Sequence, residues 1–426
     1  MKPRDPTAAT AGREGGTIVL TFSLMLLFLI GFAGIAIDLS RLFIVRTELQ
    51  TALDSCALAA AQELDGQSTS TTRAINAGMA AANLNRVNLQ SANWDGQAKV
   101  SADDISFFDS TNSATSDSVA ARYVQCQHSQ PGVHTFLLQL LTRYSSDGFP
   151  TTHSVYAVAV ATRGHAQSTC PIPVALRAKA GKGPPNYGFA PGEWVTIYGK
   201  KIGAGPGEMG WYNLDGSNDA KETAIELSEN GKCGVKAGDS VGTPGAQTSV
   251  DVPWNQRFGI YKNKDSASDN HPDFTGYAYT STNWSNKVPQ NAFSGDGGIG
   301  ATAKNYLTKR AAFASFDDTG TDLKDGAQIA FGDRNALNSF KSVATPGAGG
   351  EHASYGYNRR IVMVPVLDTT STIVDFACML MLAPLAGPNN DGQMEFIGNA
   401  SAIDTPCTTN GLAGGVAGPL VPVLVR

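Results

Sequence analysis

Gly238-Asp239-Ser240-Val241-Gly242 has the G-x-S-x-G spacing that exposes a nucleophilic serine on a strained turn between a strand and a helix. Thr243-Pro244-Gly245 follows, which spells a turn where the helix should start. The six histidines (His128, His134, His153, His165, His271, His352) signal no catalytic partner, so a loop between strands is expected here. Asp215, Ser217, Asp219 and Glu226 fall on positions 1, 3, 5 and 12 of a calcium loop, but position 6, where glycine makes the sharp turn, is Ala220. The same stretch reads as a helix capped by Asp219, with Glu222 three residues on, apolar Ile225 and Leu227, and Gly231 as its stop. Asp368-Thr-Thr-Ser-Thr372 offers carboxylate and hydroxyl oxygens, the ligand type hard cations take, directly after an apolar run ending at Leu367. A hairpin loop is the ordinary use of such residues. Gly203-Ala-Gly205-Pro-Gly207 has the glycine density of a phosphate cradle, yet Pro206 removes a donor amide and no Gly-Lys-Ser/Thr follows. With no HExxH and no CxxC, zinc has no support. No residue is assigned a catalytic, cofactor-binding or metal-ligating role, and whether the Asp215 loop or the Asp368 loop binds a cation is left open.

The elements that would have to carry any such chemistry begin with Thr17 to Ile37, TIVLTFSLMLLFLIGFAGIAI, which contains no charged residue. At the helical rise this run covers about 31 Å, the thickness of a bilayer's hydrocarbon core, and a single short run can satisfy its backbone there only as a helix. Asp38 to Gly66 continues the helical period, with Leu42, Val45, Leu49, Ala52, Cys56 and Ala59 on one seam, so the span should run on as a stalk. QSTSTT then supplies N-caps for a second helix over 70–84, with Ala74, Ala77, Ala81 and Leu84 on its stripe, making an antiparallel pair with the first. Alternation takes over at Lys99–Phe108, Val119–His128 and His153–Gly164, which read as strands of one small sheet, with an amphipathic run from His134, HTFLLQLLTRY, across it. This is an α+β arrangement, pilin-like by analogy.

Composition bounds what remains. The chain has 426 residues, 46 glycines and 16% charged residues, favouring short strands and turns over long charged helices. A net charge of -5 and a pI near 5.7 leave no basic stripe for phosphates, so nucleic acid is not an expected partner. Lys2, Arg4 and Arg13 precede the span, against Arg41 and Arg46 after it, a small bias towards an inside N-terminus. Cys56, Cys126, Cys170, Cys233, Cys378 and Cys407 all follow the span, which fits an oxidising compartment; fifteen pairings are open, and Cys56 on the seam reads equally as a small buried residue. A boundary is expected near Ala166–Pro173. The expected domains are 1–16 as a cytoplasmic N-terminus, 17–37 as the span, 38–166 as stalk plus small α+β domain, and 167–426 as a β-rich periplasmic domain. In the last, RRIVMVPVL, TIVDFACMLML and PLVPVLVR read as central strands, and Ala303–Phe316 as an amphipathic helix.

The run from Arg13 to Ala61, with a Gly at the head of the apolar stretch, Asp38 at its end, then Arg41, Leu49, Ala52 and Asp54, resembles the N-terminal module of the TadE/TadG-like Flp pilus-assembly proteins. CPIPVAL at Cys170, EWVTIYG at Glu193, GPGEMGWYNLDG at Gly205, VKAGDSVGTPG at Val235, NQRF at Asn255 and YNRRIVMVPVLD at Tyr357 extend the likeness, closest to TadG-like members. Some relatives carry a DxSxS metal motif; here Thr370 and Thr372 stand at its serine positions. The resemblance implies a non-enzymatic, single-pass protein of the bacterial inner membrane, its bulk periplasmic. Its implied partners are other Tad/Flp assembly proteins or pilin, together with membrane lipid, and it has no cofactor. Tethering and docking would be its mechanism, with the seam of residues 42–60 admitting a partner helix or packing on the protein's own sheet.

Two rivals concern the N-terminus. A signal peptide could use Gly34 with Ala36 as the small residues before its cut, although the apolar run exceeds the usual length and its helical pattern continues past that point. A prepilin would be cut near Gly15 or Gly16, although the acidic residue expected early in its helix is missing. The alternative function class is accordingly a minor pilin or a surface-displayed adhesin-like module, with a hydrolase at Ser240 as a distant third.

Overall fold

The computed structural model describes residues 15–87, 99–135, 150, 152–200, 203–229, 231–243, 249–262, 265–281, 284, 288–295, 304–313, 340–342 and 350–425. The chain forms two compact units, one of residues 1–64, 68–162 and 424–426, the other of 65–67 and 163–423.

In the first unit, α1 (Gly15–Gln62) is a single 48-residue helix running through the apolar stretch and the stalk without a break. From Ile18 to Phe32 its large apolar side chains are all exposed. Past that point one face is covered: Val45, Leu49, Ala52 and Cys56 are fully buried, with Leu53, Ala57, Ala60 and Ala61 beside them, while Ala59 sits at the margin. The seam therefore packs within its own unit, against α2 (Ser70–Asn83) and the sheet. Of the stripe expected on α2, Ala74 is buried and the rest is corrected. Ser70, Ala74, Gly78 and Ala82 are the buried positions, and Leu84 is 85% exposed. Close approach explains the choice: a Cβ at Gly78 would lie 3.1 Å from Cys56 Sγ and 3.3 Å from Ala60 Cβ, so the helices meet where neither carries bulk. Thr69 is the N-cap, but its side chain makes no cap bond; its hydroxyl accepts from Arg73, whose Nε also reaches Glu63 Oε2 at 2.9 Å.

The sheet of this unit has β2 (Tyr123–His134) between β1 (Ile105–Phe108) and β3 (Thr152–His165), both antiparallel to it. β1 is shorter than expected because residues 102–104 form a 3-10 turn, closed by a Ser101–Asp104 capping box. β2 starts four residues later than expected and ends at His134; the remainder of the amphipathic run, 136–144, lies outside the described residues. Along β3, Ala157, Ala159 and Ala161 alternate into the core, where small side chains let the helix lie close. Gln50 on α1 donates to the Val158 carbonyl, and the Cys56–Cys126 disulfide joins α1 to β2.

The second unit is built on β4 (Val174–Arg177), β5 (Glu193–Ile197), β6 (Met209–Trp211), β9 (Ile361–Leu367), β10 (Ile373–Met381) and β11 (Gly392–Asn399), which close into a barrel in the order β10-β11-β5-β6-β4-β9. β4 and β9 pair in parallel, as do β5 and β6, and the other neighbours are antiparallel. Val362, Val364, Val366, Met379 and Met381 join one core cluster while Met363, Leu367, Phe376 and Cys378 join another, so β9 and β10 are covered on both faces, as unbroken apolar runs require. Between them come α3 (Ala220–Ser228), α4 (Asp251–Gln256), β7 (Ile260–Lys262), α5 (Tyr306–Ala311), β8 (Phe340–Ser342) and α6 (Glu351–Tyr355). α5 is a shorter piece of the helix expected over 303–316, started by Asn305, whose side chain accepts from Thr308 N. The terminal run PLVPVLVR does not become a central barrel strand. It forms β12 (Leu420–Leu424), beside β3 in the order β1-β2-β3-β12, with the Val425 amide donating to Val160. Pro422 has no N–H to give, which suits an outer strand better than an inner one.

Candidate functional site

Each sequence pattern that suggested chemistry is answered by local geometry. Ser240 makes a bridge to Thr372, and the flanking Gly238, Val241 and Gly242 amides donate to Ile373, Ser371 and Asn213. The segment is a strand-like connector through Thr243; residues 244–248 lie outside the described ones. In the 203–207 loop the Gly205 amide donates to Glu208 and the Ala204 amide to the Tyr212 hydroxyl, so these donors are already engaged. At the 368–372 hairpin, Asp368 Oδ1 accepts from the amides of Thr370 and Thr372, and the Thr370 hydroxyl donates to the same carboxylate. Burial pushes the Asp368 pKa up, but the Thr372 amide, the Thr370 hydroxyl and amide and the Arg177 charge together outweigh it and hold the group below the usual carboxylate range.

The Asp215 segment gathers carboxylates, though not in the pattern of a calcium loop. Asp219 caps α3 by accepting from Lys221 N, and Ser217 donates its amide to Asp215 Oδ1. Asp215, Glu222 and Glu226 instead converge, with one carboxylate oxygen of each lying within 4.8 Å of the others. Glu222, which the loop template does not include, joins because residues four apart share one face of α3. Glu226 is 1% exposed, and both its oxygens accept from the Leu214 amide. Desolvation pushes its pKa to about 7; Asp215 and Glu222 add to the rise, while the Leu214 amide and Lys232 oppose it. Asp215 is held below its ordinary value chiefly by the Ser217 amide. Three oxygens at this spacing are the right donor type for a hard divalent cation. Equally, a proton on Glu226 relieves their repulsion.

Two of the resemblance motifs, NQRF and YNRR, meet in the core of the second unit. Asp273, fully buried, accepts at Oδ1 from the amides of Arg359 and Arg360 and at Oδ2 from the Tyr306 hydroxyl and the Thr275 amide. Arg360 donates to the carbonyls of Thr275, Tyr277, Met381 and Leu382, its guanidinium 4.3 Å from the centre of the Phe258 ring. Arg257 donates to the carbonyls of Arg359 and Leu227. These side chains terminate loop backbone in a place water does not reach, which is a structural task. Glu395 on β11 works alike, accepting from Trp194 Nε1 and from the amides of Ala292 and Phe293. Six cysteines are paired, as Cys56–Cys126, Cys170–Cys233 and Cys378–Cys407. Cys170, Cys233 and Cys407 border a cavity of about 440 Å³ with Thr169, Met363 and Asn410 on its wall.

The remaining candidate is α1 itself. Ile18 to Gln62 is long and apolar enough to cross a membrane, and the most apolar part is almost wholly uncovered by the protein. Such a contiguous exposed apolar surface is of the kind that marks a membrane or protein contact. Residues 16–63 match the family model Tad, described as putative Flp pilus-assembly TadE/G-like, which covers α1 from its second residue to one past its end. No curated protein and no solved structure matches the chain.

Proposed function

We propose that this chain, with a TadE/G-like segment at its head, is a non-enzymatic, membrane-anchored component of Flp pilus assembly. Its helix tethers a body outside the cytoplasm, where the body docks other assembly proteins or the pilus. The observation that carries the reading is the bare apolar stretch of α1, since it coincides with the family match and needs a hydrocarbon surrounding. Three disulfides support an oxidising compartment for both units. Docking does not use the small-residue seam of α1, because α2 and the sheet already occupy it. The surface available for a partner is elsewhere on the body.

The test is a topology fusion. Alkaline phosphatase joined after Gly66 should be active, a cytoplasmic reporter at the same place silent, and the fusion should stay with membranes through a carbonate wash. A silent phosphatase overturns the orientation, and release by carbonate overturns the anchor. Recovery of the chain in sheared filaments would instead favour the minor-pilin alternative.

A further inference from the structure

Where α1 leaves its bare stretch, its two sides differ. On one side Gly34, Asp38, Val45 and Leu49 are buried, and Asp38 is only 2% exposed although it is the first charge after the apolar run. Arg41 lies on that same side, half-buried. On the opposite side Ile37, Leu39, Phe43 and Ile44 are 61%, 44%, 64% and 46% exposed, and the first exposed charge is Arg46. The uncharged open face therefore does not stop at Ile37. From Ile18 to Ile44 it measures about 39 Å, longer than the ~30 Å hydrocarbon core but within the ~40–45 Å that includes the headgroup layer.

We infer that the face of α1 formed by Leu39, Phe43 and Ile44 is a lipid-contacting surface lying in the headgroup layer of the bilayer, on the side of the membrane that carries the body. The helix is then asymmetric at its exit: lipid covers one side, while on the other Gly34 and Asp38 are buried and Val45 and Leu49 pack into the core of the first unit. A lipid occupant is favoured because the face continues the exposed apolar run without an intervening outward charge. A span longer than the core is accommodated by tilting or by interfacial embedding of its end. Placing Asp38 and Arg41 on the covered side keeps both charges of this stretch off the lipid-facing surface.

The inference rests on the membrane-anchor reading, and one set of probes separates the two. The native cysteines are all paired, so a single introduced thiol can be labelled with an environment-sensitive fluorophore in the full chain, reconstituted in nanodiscs. Ala36→Cys reports the span, Phe43→Cys the proposed face, and Thr51→Cys an exposed stalk position. The expected result is quenching of the label at 43 by headgroup-level spin-labelled lipid, with iodide quenching several-fold weaker than at 51. Iodide quenching at 43 equal to that at 51 overturns the inference. So does shielding at 43 from both iodide and lipid, which would mean that a protein helix covers the face. Absence of lipid quenching at 36 overturns the anchor reading itself. Phe43→Asp should move the label, placed then at Ile44→Cys, towards the iodide response of the stalk; no change is evidence against lipid contact.

Discussion

Replacing Cys56 and Cys126 together by alanine removes the one covalent link between α1 and the sheet of the first unit. The bridge closes a sequence separation of 70, for which loop-closure entropy comes to about 4 kcal/mol. Both sulfurs are fully buried and Cys56 Sγ packs near Gly78, so the lost contacts add to this cost. Because the other two bridges have separations of 63 and 29, the same relation gives them similar values, and size alone would not identify the bridge. Location does. Hydrogen exchange of the amides of residues 49–61, followed by mass spectrometry in nanodiscs, should accelerate by about three decades, since about 1.4 kcal/mol is one decade. Amides of the barrel strands β4 and β9 should keep their rates. Acceleration under tenfold in α1, or equal acceleration in the barrel, would refute the reasoning, the first by showing that helix and sheet hold without the link.

Two further outcomes follow from the second unit. Glu395 is 1% exposed and burial lifts its pKa to about 7, against the pull of three N–H donors. The folded state therefore binds a proton between pH 4.5 and about 7 that the unfolded state has released, so stability falls as pH rises through that window, by up to about 3 kcal/mol. Denaturant midpoints across that range should show the decline, to which Glu226, also lifted to about 7, adds its own part, and Glu395→Gln should lower the slope without abolishing it; an unchanged slope in the variant assigns the effect to Glu226. Arg360→Met should leave the carbonyls of Thr275, Tyr277, Met381 and Leu382 without their donor, costing several kcal/mol. Loss of slow exchange in β9 and β10 is the expected reading, and a variant retaining native midpoints would show that the guanidinium is dispensable.

What was legible in the sequence depended on period and length. Residues 15–62 read correctly as one helix because 48 residues of uninterrupted helical pattern leave no competing structure. β9 and β10 were visible as apolar runs for the same reason, whereas β5 and β6, of 5 and 3 residues, give no period to read and their barrel closure is set by pairing across distant segments. On α2 Ala74 was read correctly as buried but Gly78 and Ala82 were missed, because a helix carrying small residues on most sides gives little contrast between faces; what chose Gly78 was the nearness of Cys56 and Ala60, a tertiary fact. The position of β12 was missed because an apolar run does not say which sheet it joins. Glu222 was missed because the calcium template counts along the chain, while the carboxylates meet across a turn and a helix face.

The DxTx[ST] pattern at Asp368 has a physical account that a second copy makes plain. Asp109, Thr111 and Ser113 repeat the spacing of Asp368, Thr370 and Thr372, and the bonds repeat with it. Asp109 Oδ1 accepts from the amides of Thr111 and Ser113 and from the Thr111 hydroxyl, just as Asp368 does from its counterparts. The Asp109 amide donates to Ser113 O at 2.9 Å, and the Asp368 amide to Thr372 O at 3.0 Å. In each turn the residue before the last, Asn112 or Ser371, stands at φ 63°. A left-handed residue there costs a side-chain-bearing residue about 1 kcal/mol, and three hydrogen bonds to one ionised carboxylate offset it. Spacing of two then follows from the carboxylate's reach: its oxygen caps the amides two and four residues on, where hydroxyl residues also fit. The same residue types that would ligate a cation are thus selected by turn closure, and the pattern acquires ligand meaning only where its oxygens are left without these donors.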